Sequence, residues 1–189
     1  MAANRDMSDY IYEREKLVKL PGKKDHGKRN HISQFWRACP DAYIQPLIPE
    51  NAAFALGIAD QWLAARPDPQ DASLQYERSC IAEAAANMEA LGLTGLLLYA
   101  DGQPVGMTMV SEISAGIFDV HFEKVIPDQP HAWPVVANEM AKCLTAAEYL
   151  NREEDLGENG MRTSKQSYRP DLLNEKFIAE WHGKESDLC

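Results

Sequence analysis

The sequence predicts a three-layer α/β fold, with a central sheet covered by helices on both faces. Three observations carry that expectation. Gly95-Leu-Leu-Leu-Tyr-Ala100 and Gln103-Pro-Val-Gly-Met-Thr-Met-Val110 are joined by Asp101-Gly102, a strong hairpin signal. Helical periodicity precedes that hairpin and returns after a third strand, so helices flank the strands in chain order. The chain has 189 residues, 45% hydrophobic and 25% charged, which suits one soluble globular core.

Taken in order, a first helix is expected from Ser8 to Lys19, stopped by Pro21-Gly22. A second runs from Lys24 to Ala38, with Ile32, Phe35 and Trp36 at helical spacing. Ala42 to Ile48 reads as a strand whose Pro46 favours an edge position. Pro49-Glu50-Asn51 opens a third helix to Ala65, with Phe54, Ala55, Ile58 and Trp62 on one face. A fourth helix follows Asp71 and runs to Leu91. After the hairpin, Ile117 to Lys124 is a third meander strand, with Phe118, Val120 and Phe122 on one face and Asp119, His121 and Glu123 on the other. A helix from Trp133 to Glu148, a strand at Tyr149, a helix from Gly160 to Tyr168 and a strand from Leu172 to Trp181 complete the order. Residues 1–40 are expected to form a helical extension with a basic motif, residues 41–181 the main domain, and residues 182–189 a flexible tail.

Composition narrows the function classes. The apolar stretch from Leu91 to Ala100 is too short and glycine-broken to span a bilayer, and the N-terminus lacks a signal-peptide core. A cytoplasmic protein is therefore expected. Cys39, Cys80, Cys143 and Cys189 are far apart in sequence and read as reduced thiols, not disulfides or zinc ligands. The net charge is −10, yet Glu13 to Arg37 holds eight Lys/Arg against three Asp/Glu. A globally acidic protein does not bind nucleic acid indiscriminately, whereas a local basic cluster can hold one phosphorylated ligand or an RNA end.

Several familiar motifs are absent: no P-loop, no dinucleotide fingerprint and no Gly-x-Ser-x-Gly elbow. His121-x-Glu123 has no accompanying Pro-Cys-x-x-Cys, so no metal is assigned. Three constellations remain. Lys23, Lys24, Lys28, Arg29 and Asn30 suit phosphate oxygens, or else form a solvated helix face. Asp119, His121 and Glu123 put ionisable groups on a strand expected to be covered, where they either work or pair. Asn151, Glu153 and Asp155 alternate at strand spacing, and the next helix sets Arg162, Lys165 and Tyr168 or Arg169 on successive turns. That last group reads either as a binding wall or as a salt-bridge lattice clipping the final strand.

Four ordered motifs also carry a resemblance. They are Leu20-x-Gly-Lys-Lys-x-x-x-Lys-Arg-Asn-x-x-x-x-Phe35, Val120-His-Phe-Glu-Lys124, Asn151-Arg-Glu-Glu-Asp-Leu-Gly157 and Arg162-x-x-Lys-x-Ser-Tyr-x-Pro170. Together, from Tyr10 to Trp181, they resemble the phosphatidylglycerol lysyltransferase C-terminal-like family (domain of unknown function 2156). The resemblance implies an acetyltransferase-like αβα fold with a mixed, mostly antiparallel sheet. It also implies acyl or aminoacyl transfer from a phosphate-bearing carrier, a CoA thioester or aminoacyl-tRNA, to an amine or hydroxyl. The usual Gln/Arg-x-x-Gly-x-Gly/Ala carrier run is replaced by Val125-Ile-Pro-Asp-Gln-Pro-His-Ala132.

On this reading Lys23, Lys24, Lys28, Arg29 and Asn30 clamp the carrier phosphate or a tRNA end. Glu123 or His121 accepts the nucleophile's proton, and Asn151 and Glu153 orient a small-molecule or peptide acceptor. Tyr168 protonates the leaving group, and Arg162 and Lys165 hold charge on carrier or acceptor. No tightly bound cofactor is expected, and a homodimer would supply a second half. The alternative is a non-catalytic nucleotide- or RNA-binding regulatory module on the same fold.

Overall fold

The computed structural model describes residues 2–129 and 131–178. From the N-terminus the chain forms β1 (Ala2–Ala3), a 3-10 turn (Arg5–Met7), β2 (Asp9–Glu13), α1 (Arg14–Lys19), α2 (His26–Ala38) and β3 (Tyr43–Pro46). A second 3-10 turn (Pro49–Asn51) leads into α3 (Ala52–Ala64) and α4 (Ala72–Ala86). The meander is β4 (Thr94–Ala100), β5 (Gln103–Ser114) and β6 (Ile117–Val125). Then come α5 (Ala132–Cys143), β7 (Tyr149–Asn151), α6 (Asn159–Ser167), β8 (Leu172–Asn174) and β9 (Phe177–Ile178).

The main sheet has the order β3-β4-β5-β6-β7-β2-β8, and β1 pairs separately with β9. Within the main sheet every pairing is antiparallel except β6 with β7. The expected three-layer, mixed and mostly antiparallel architecture is what the chain adopts. The hairpin turn places Asp101 at φ 51° and Gly102 at φ 73°, the two positive angles of a type I′ turn. β4 alternates between two cores. Leu96 and Leu98 pack with Phe35, Val135, Val136 and Met140 under α1, α2 and α5, while Leu97 and Tyr99 pack with Ile58, Ile81, Met107 and Met109 under α3 and α4. A Cβ at Gly106 would lie 2.7 Å from a Val136 methyl, so the missing side chain lets α5 sit close on the sheet.

Several expectations need correction. Asp9–Glu13, expected to be helical, is a strand between β7 and β8, so the N-terminal segment joins the main sheet next to its edge strand and is not only a helical extension. The alternation of Tyr10 and Tyr12, both 0% exposed, explains it: each aromatic buried on a pleat contributes about 2 kcal/mol, more than five residues of helical propensity recover. α4 stops at Ala86, where the Asn87 amide donates to the Glu83 carbonyl at 2.8 Å. α5 stops at Cys143, because Glu148 and Tyr149 N–H groups are drawn to the Gly116 carbonyl at 2.8 and 3.0 Å. Phe54 is 48% exposed and leaves the buried face of α3.

The face assignment on β6 also changes. Met109 pairs with Phe122 and Val110 with Val120, leaving His121 as an unpaired bulge residue. Phe118 and Val120 consequently pack with the Tyr10 cluster and Phe122 with the Ile58 cluster. The expected final strand divides into β8 and β9, and its end beyond Ile178, with the tail from His182, lies outside the described residues.

One buried group holds the open end of the sheet. Asp155 is 0% exposed and accepts from Arg162 Nε at 2.8 Å, Arg162 Nη2 at 2.7 Å, Gly157 N–H at 3.0 Å and the Tyr10 hydroxyl. The Arg162 guanidinium, foremost among these donors, holds its carboxyl well below the usual carboxylate range. Asp155→Asn should lower unfolding stability by about 3 kcal/mol, the lower end for a broken buried pair because Arg162 keeps solvent access. A carboxyl depressed in the folded state contributes above its unfolded pKa and loses that contribution on acidification. Urea titrations should thus show the gap between wild type and variant closing as pH falls below about 4; a gap that does not change with pH contradicts the assignment.

Candidate functional site

The β6–β7 parallel pairing is only three residues long, Ile117–Asp119 against Tyr149–Asn151. β6 then continues to Val125 while β7 ends, and the sheet parts. The chain leaving β7 is held in a fixed turn: Asn151 Oδ1 accepts from the Glu153 N–H at 2.9 Å, and Glu153 adopts φ 54°. Lys165 Nζ donates to the carbonyls of Glu153, at 3.3 Å, and Glu154. Beside this parting lies a cleft of about 1210 Å³, walled by α2, the α3–α4 connection, β6, the Arg152–Glu154 turn and α6.

On one wall, Glu123 accepts from Arg152 Nη2 at 2.7 Å, with the side chains 11% and 12% exposed. Burial opposes the charge on Arg152, Glu123 favours it, and the balance leaves the guanidinium more firmly protonated than usual. Its Nη1 is buried with no hydrogen-bond partner among the described residues. The Tyr168 ring lies 5.1 Å from the Arg152 guanidinium and 4.3 Å from Lys28 Nζ. Burial, more than any charge, pushes the Tyr168 hydroxyl up to about 12. Burial also draws Lys165 down to about 8, with Arg152 adding repulsion.

Two residues earlier on β6, His121 Nε2 meets Ser111 Oγ at 2.8 Å and its Nδ1 faces Glu153 Oε1 at 3.4 Å. The Glu153 contact, opposed by burial, raises the imidazole above its ordinary value. Burial and then the Glu153 charge push Asp119 up to about 6.

The expected site residues therefore divide. Lys24, Lys28, His121, Glu123, Glu153, Lys165 and Tyr168 line the cleft. Lys28 also donates to the Ser167 carbonyl at 2.7 Å. Arg29 does not line it; its guanidinium is spent on the carbonyls of Leu20 and Gly22, closing α1. Lys23 and Asn30 are exposed outside the lining. Arg162 is taken by Asp155 and by Asp6 at 2.6 Å, so the salt-bridge reading describes it, and Asn151 shapes the turn. Sequence reasoning missed Arg152, Trp62, Arg66 and Ser111. Arg152 lay inside a quoted motif, whereas Ser111 is set by cross-strand register and left no local signal. Cys39, Cys80 and Cys143 are free thiols, and Cys189 lies outside the described residues. No described helix is long and apolar enough to cross a membrane.

Residues 1–180 match the family described as phosphatidylglycerol lysyltransferase, C-terminal. A conserved protein of unknown function from Bacteroides thetaiotaomicron superposes with TM-score 0.88 at 36% identity, covering 92% of this chain and 59% of that one. The C-terminal domain (domain of unknown function 2156) of a candidate lysylphosphatidylglycerol synthetase from Agrobacterium fabrum gives TM-score 0.62 at 13% identity, with 92% and 59% covered. A functionally unknown conserved protein from Staphylococcus epidermidis gives 0.52 at 16% identity, with 84% and 55% covered. At their identities the last two show the shared fold. The chain spans 59% of the length of each of the first two. No curated protein matches.

The Glu123–Arg152 pair is buried enough for its two halves to depend on each other. Arg152→Met leaves a buried carboxylate unpaired and should cost about 3 kcal/mol. Adding Glu123→Gln should return most of that loss, a coupling readable from denaturant titrations of the two single variants and the double. Strict additivity would show that the ion pair contributes nothing.

Proposed function

The chain belongs to the phosphatidylglycerol lysyltransferase C-terminal family, and from that premise we propose that its cleft transfers an acyl or aminoacyl group from a phosphate-bearing carrier to an amine or hydroxyl acceptor. The observation that carries this reading is the parting of β6 from β7 beside a cleft with a buried tyrosine on its wall. A strand gap of this kind gives an extended carrier a slot between two backbones, with fixed groups on either side.

Each side chain takes a role that its surroundings favour. Lys24 and Lys28, at the α2 rim, meet carrier phosphates, with the exposed Lys23 adding field. Tyr168 stays protonated throughout the neutral range, which fits a donor to the departing thiolate or alkoxide. Glu123 and His121 face the cleft as the candidates to take the nucleophile's proton. Arg152 holds Glu123 in place, and its buried Nη1, without a hydrogen-bond partner among the described residues, stays beside the Tyr168 ring. The acceptor would be a small molecule or peptide. An RNA end or a second copy of the chain is compatible with this reading.

The donor class follows from a thermal-shift panel of CoA thioesters, aminoacyl-tRNA, nucleotides and uncharged RNA, since a ligand of the folded state raises its melting temperature. Stabilisation by an acyl or aminoacyl donor, weakened in Lys24→Ala/Lys28→Ala, is the expected result. Response only to nucleotides or uncharged RNA would favour the binding-module alternative. With a donor in hand, Tyr168→Phe should cut turnover by about tenfold to a thousandfold at unchanged donor affinity; full turnover removes Tyr168 from the mechanism.

A further inference from the structure

Asp119, His121 and Glu153 each present a ligand atom, and these atoms lie within 4.8 Å of one another. We propose that they bind one divalent transition-metal ion of the Mn²⁺ or Zn²⁺ class at the parting of β6 and β7.

Charge balance is the first argument. Two carboxylates converge here, and the neighbouring cations are committed elsewhere. Lys176 pairs with Asp9 at 2.6 Å and Glu154 at 2.8 Å, Arg152 with Glu123, and Arg162 with Asp155 and Asp6. Lys165 is spent on two carbonyls. Among the described residues no lysine or arginine pairs with Asp119 or Glu153, and Asp119 Oδ1 is buried without a hydrogen-bond partner. A buried, unpartnered carboxylate oxygen beside a second carboxylate is costly unless a cation or a proton joins them.

The imidazole is the second argument, and it separates this group from an ordinary acidic patch. Ser111 Oγ occupies His121 Nε2 at 2.8 Å, so the remaining ring nitrogen is the one turned to the carboxylates. An ion on Nδ1 would fix the tautomer in which Nε2 donates to the serine; with no ion bound, Nδ1 can instead give a proton to Glu153 Oε1 at 3.4 Å. Metal-bound histidines are typically held through their other nitrogen in this way. One nitrogen and two carboxylate oxygens favour Mn²⁺ or Zn²⁺ over Mg²⁺ or Ca²⁺, which prefer oxygen alone. His121 and Glu153 line the cleft, so the ion would have a path in and coordination positions open to water or ligand. A bound ion also removes His121 from proton transfer and leaves Glu123 as the base, so this inference stands or falls separately from the transfer reading.

The test is Mn²⁺ binding by the full chain after EDTA treatment and dialysis, followed by calorimetry and electron paramagnetic resonance. One Mn²⁺ per chain is expected, with nitrogen coupling from the imidazole in the pulsed spectrum. His121→Ala and Asp119→Asn should each weaken binding at least about tenfold, and Ser111→Ala about tenfold or more through the lost outer hydrogen bond. Circular dichroism establishes that the variants are folded. Absence of saturable binding by the wild type, absence of nitrogen coupling, or unchanged affinity in folded His121→Ala and Asp119→Asn (an adventitious ion only) would each overturn the proposal. The wild-type spectrum decides even if a variant does not fold.

Discussion

The Asp155 carboxylate fixes three separate stretches of chain at one point: Tyr10 from β2, the turn through Gly157, and Arg162 from α6. A charge with no solvent contact is tolerated only when its lone pairs are all met, and here a bidentate guanidinium, a phenol and a backbone N–H meet them. Net stability is a poor reason for such a group, since an apolar cluster of equal volume often does as well. What it supplies is position. With Asp155 held, the chain leaving β7 cannot continue alongside β6, and the gap between the strands is built into the fold.

That constraint orders the electrostatics of the cleft. Three cations expected to face a ligand are consumed by the architecture: Arg29 closes α1, Arg162 satisfies Asp155, and Lys165 satisfies the carbonyls of a turn whose Glu153 is left-handed. A non-glycine residue at φ 54° costs about 1 kcal/mol or more and persists only where its surroundings insist on it. Here the Asn151 side chain holds the Glu153 N–H and Lys165 its carbonyl, and the result is a Glu153 side chain aimed at His121. The bulge at His121 does the corresponding work on β6, turning an imidazole out of the sheet's regular alternation towards the same point.

What was legible in the sequence follows from the range of the interactions involved. The Asp101-Gly102 hairpin, the meander, α2 and α3 rest on contacts within a few residues, and their residue types announce them. β2 was hidden because its alternation lasts only five residues and runs into α1 without a breaker; its membership of the sheet comes from β7 and β8, more than 130 positions away. The cleft was half legible. Lys24, Lys28, His121, Glu123, Glu153, Lys165 and Tyr168 could be named from local density of ionisable groups. Whether a given arginine faced the cleft or a buried carboxylate depended on Asp155 being wholly enclosed, which no local pattern records. Ser111 was out of reach for the same reason, since its partner is fixed by a register that shifts at the bulge.

The segment from Asn151 to Pro170 invited two readings, a binding wall and a salt-bridge clip, and its residues divide by orientation between the lining of the cleft and the clip. Asp155 and Arg162 turn inward to β2 and the N-terminal turn, where they make the clip. Arg152, Glu153, Lys165 and Tyr168 lie along the cleft, where they make the wall. The clip and the wall share the segment because the wall requires the clip. A wall made of long, flexible side chains on an open sheet end would lose much of its geometry to rotamer entropy. Here the backbone behind them is tied through the buried carboxylate to β2, a strand paired on both sides, so Arg152 and Tyr168 are held by packing and Glu153 by its turn. The salt bridges contribute to the cleft by removing the freedom of the residues beside them, which is how a remote buried charge can set the shape of a cleft.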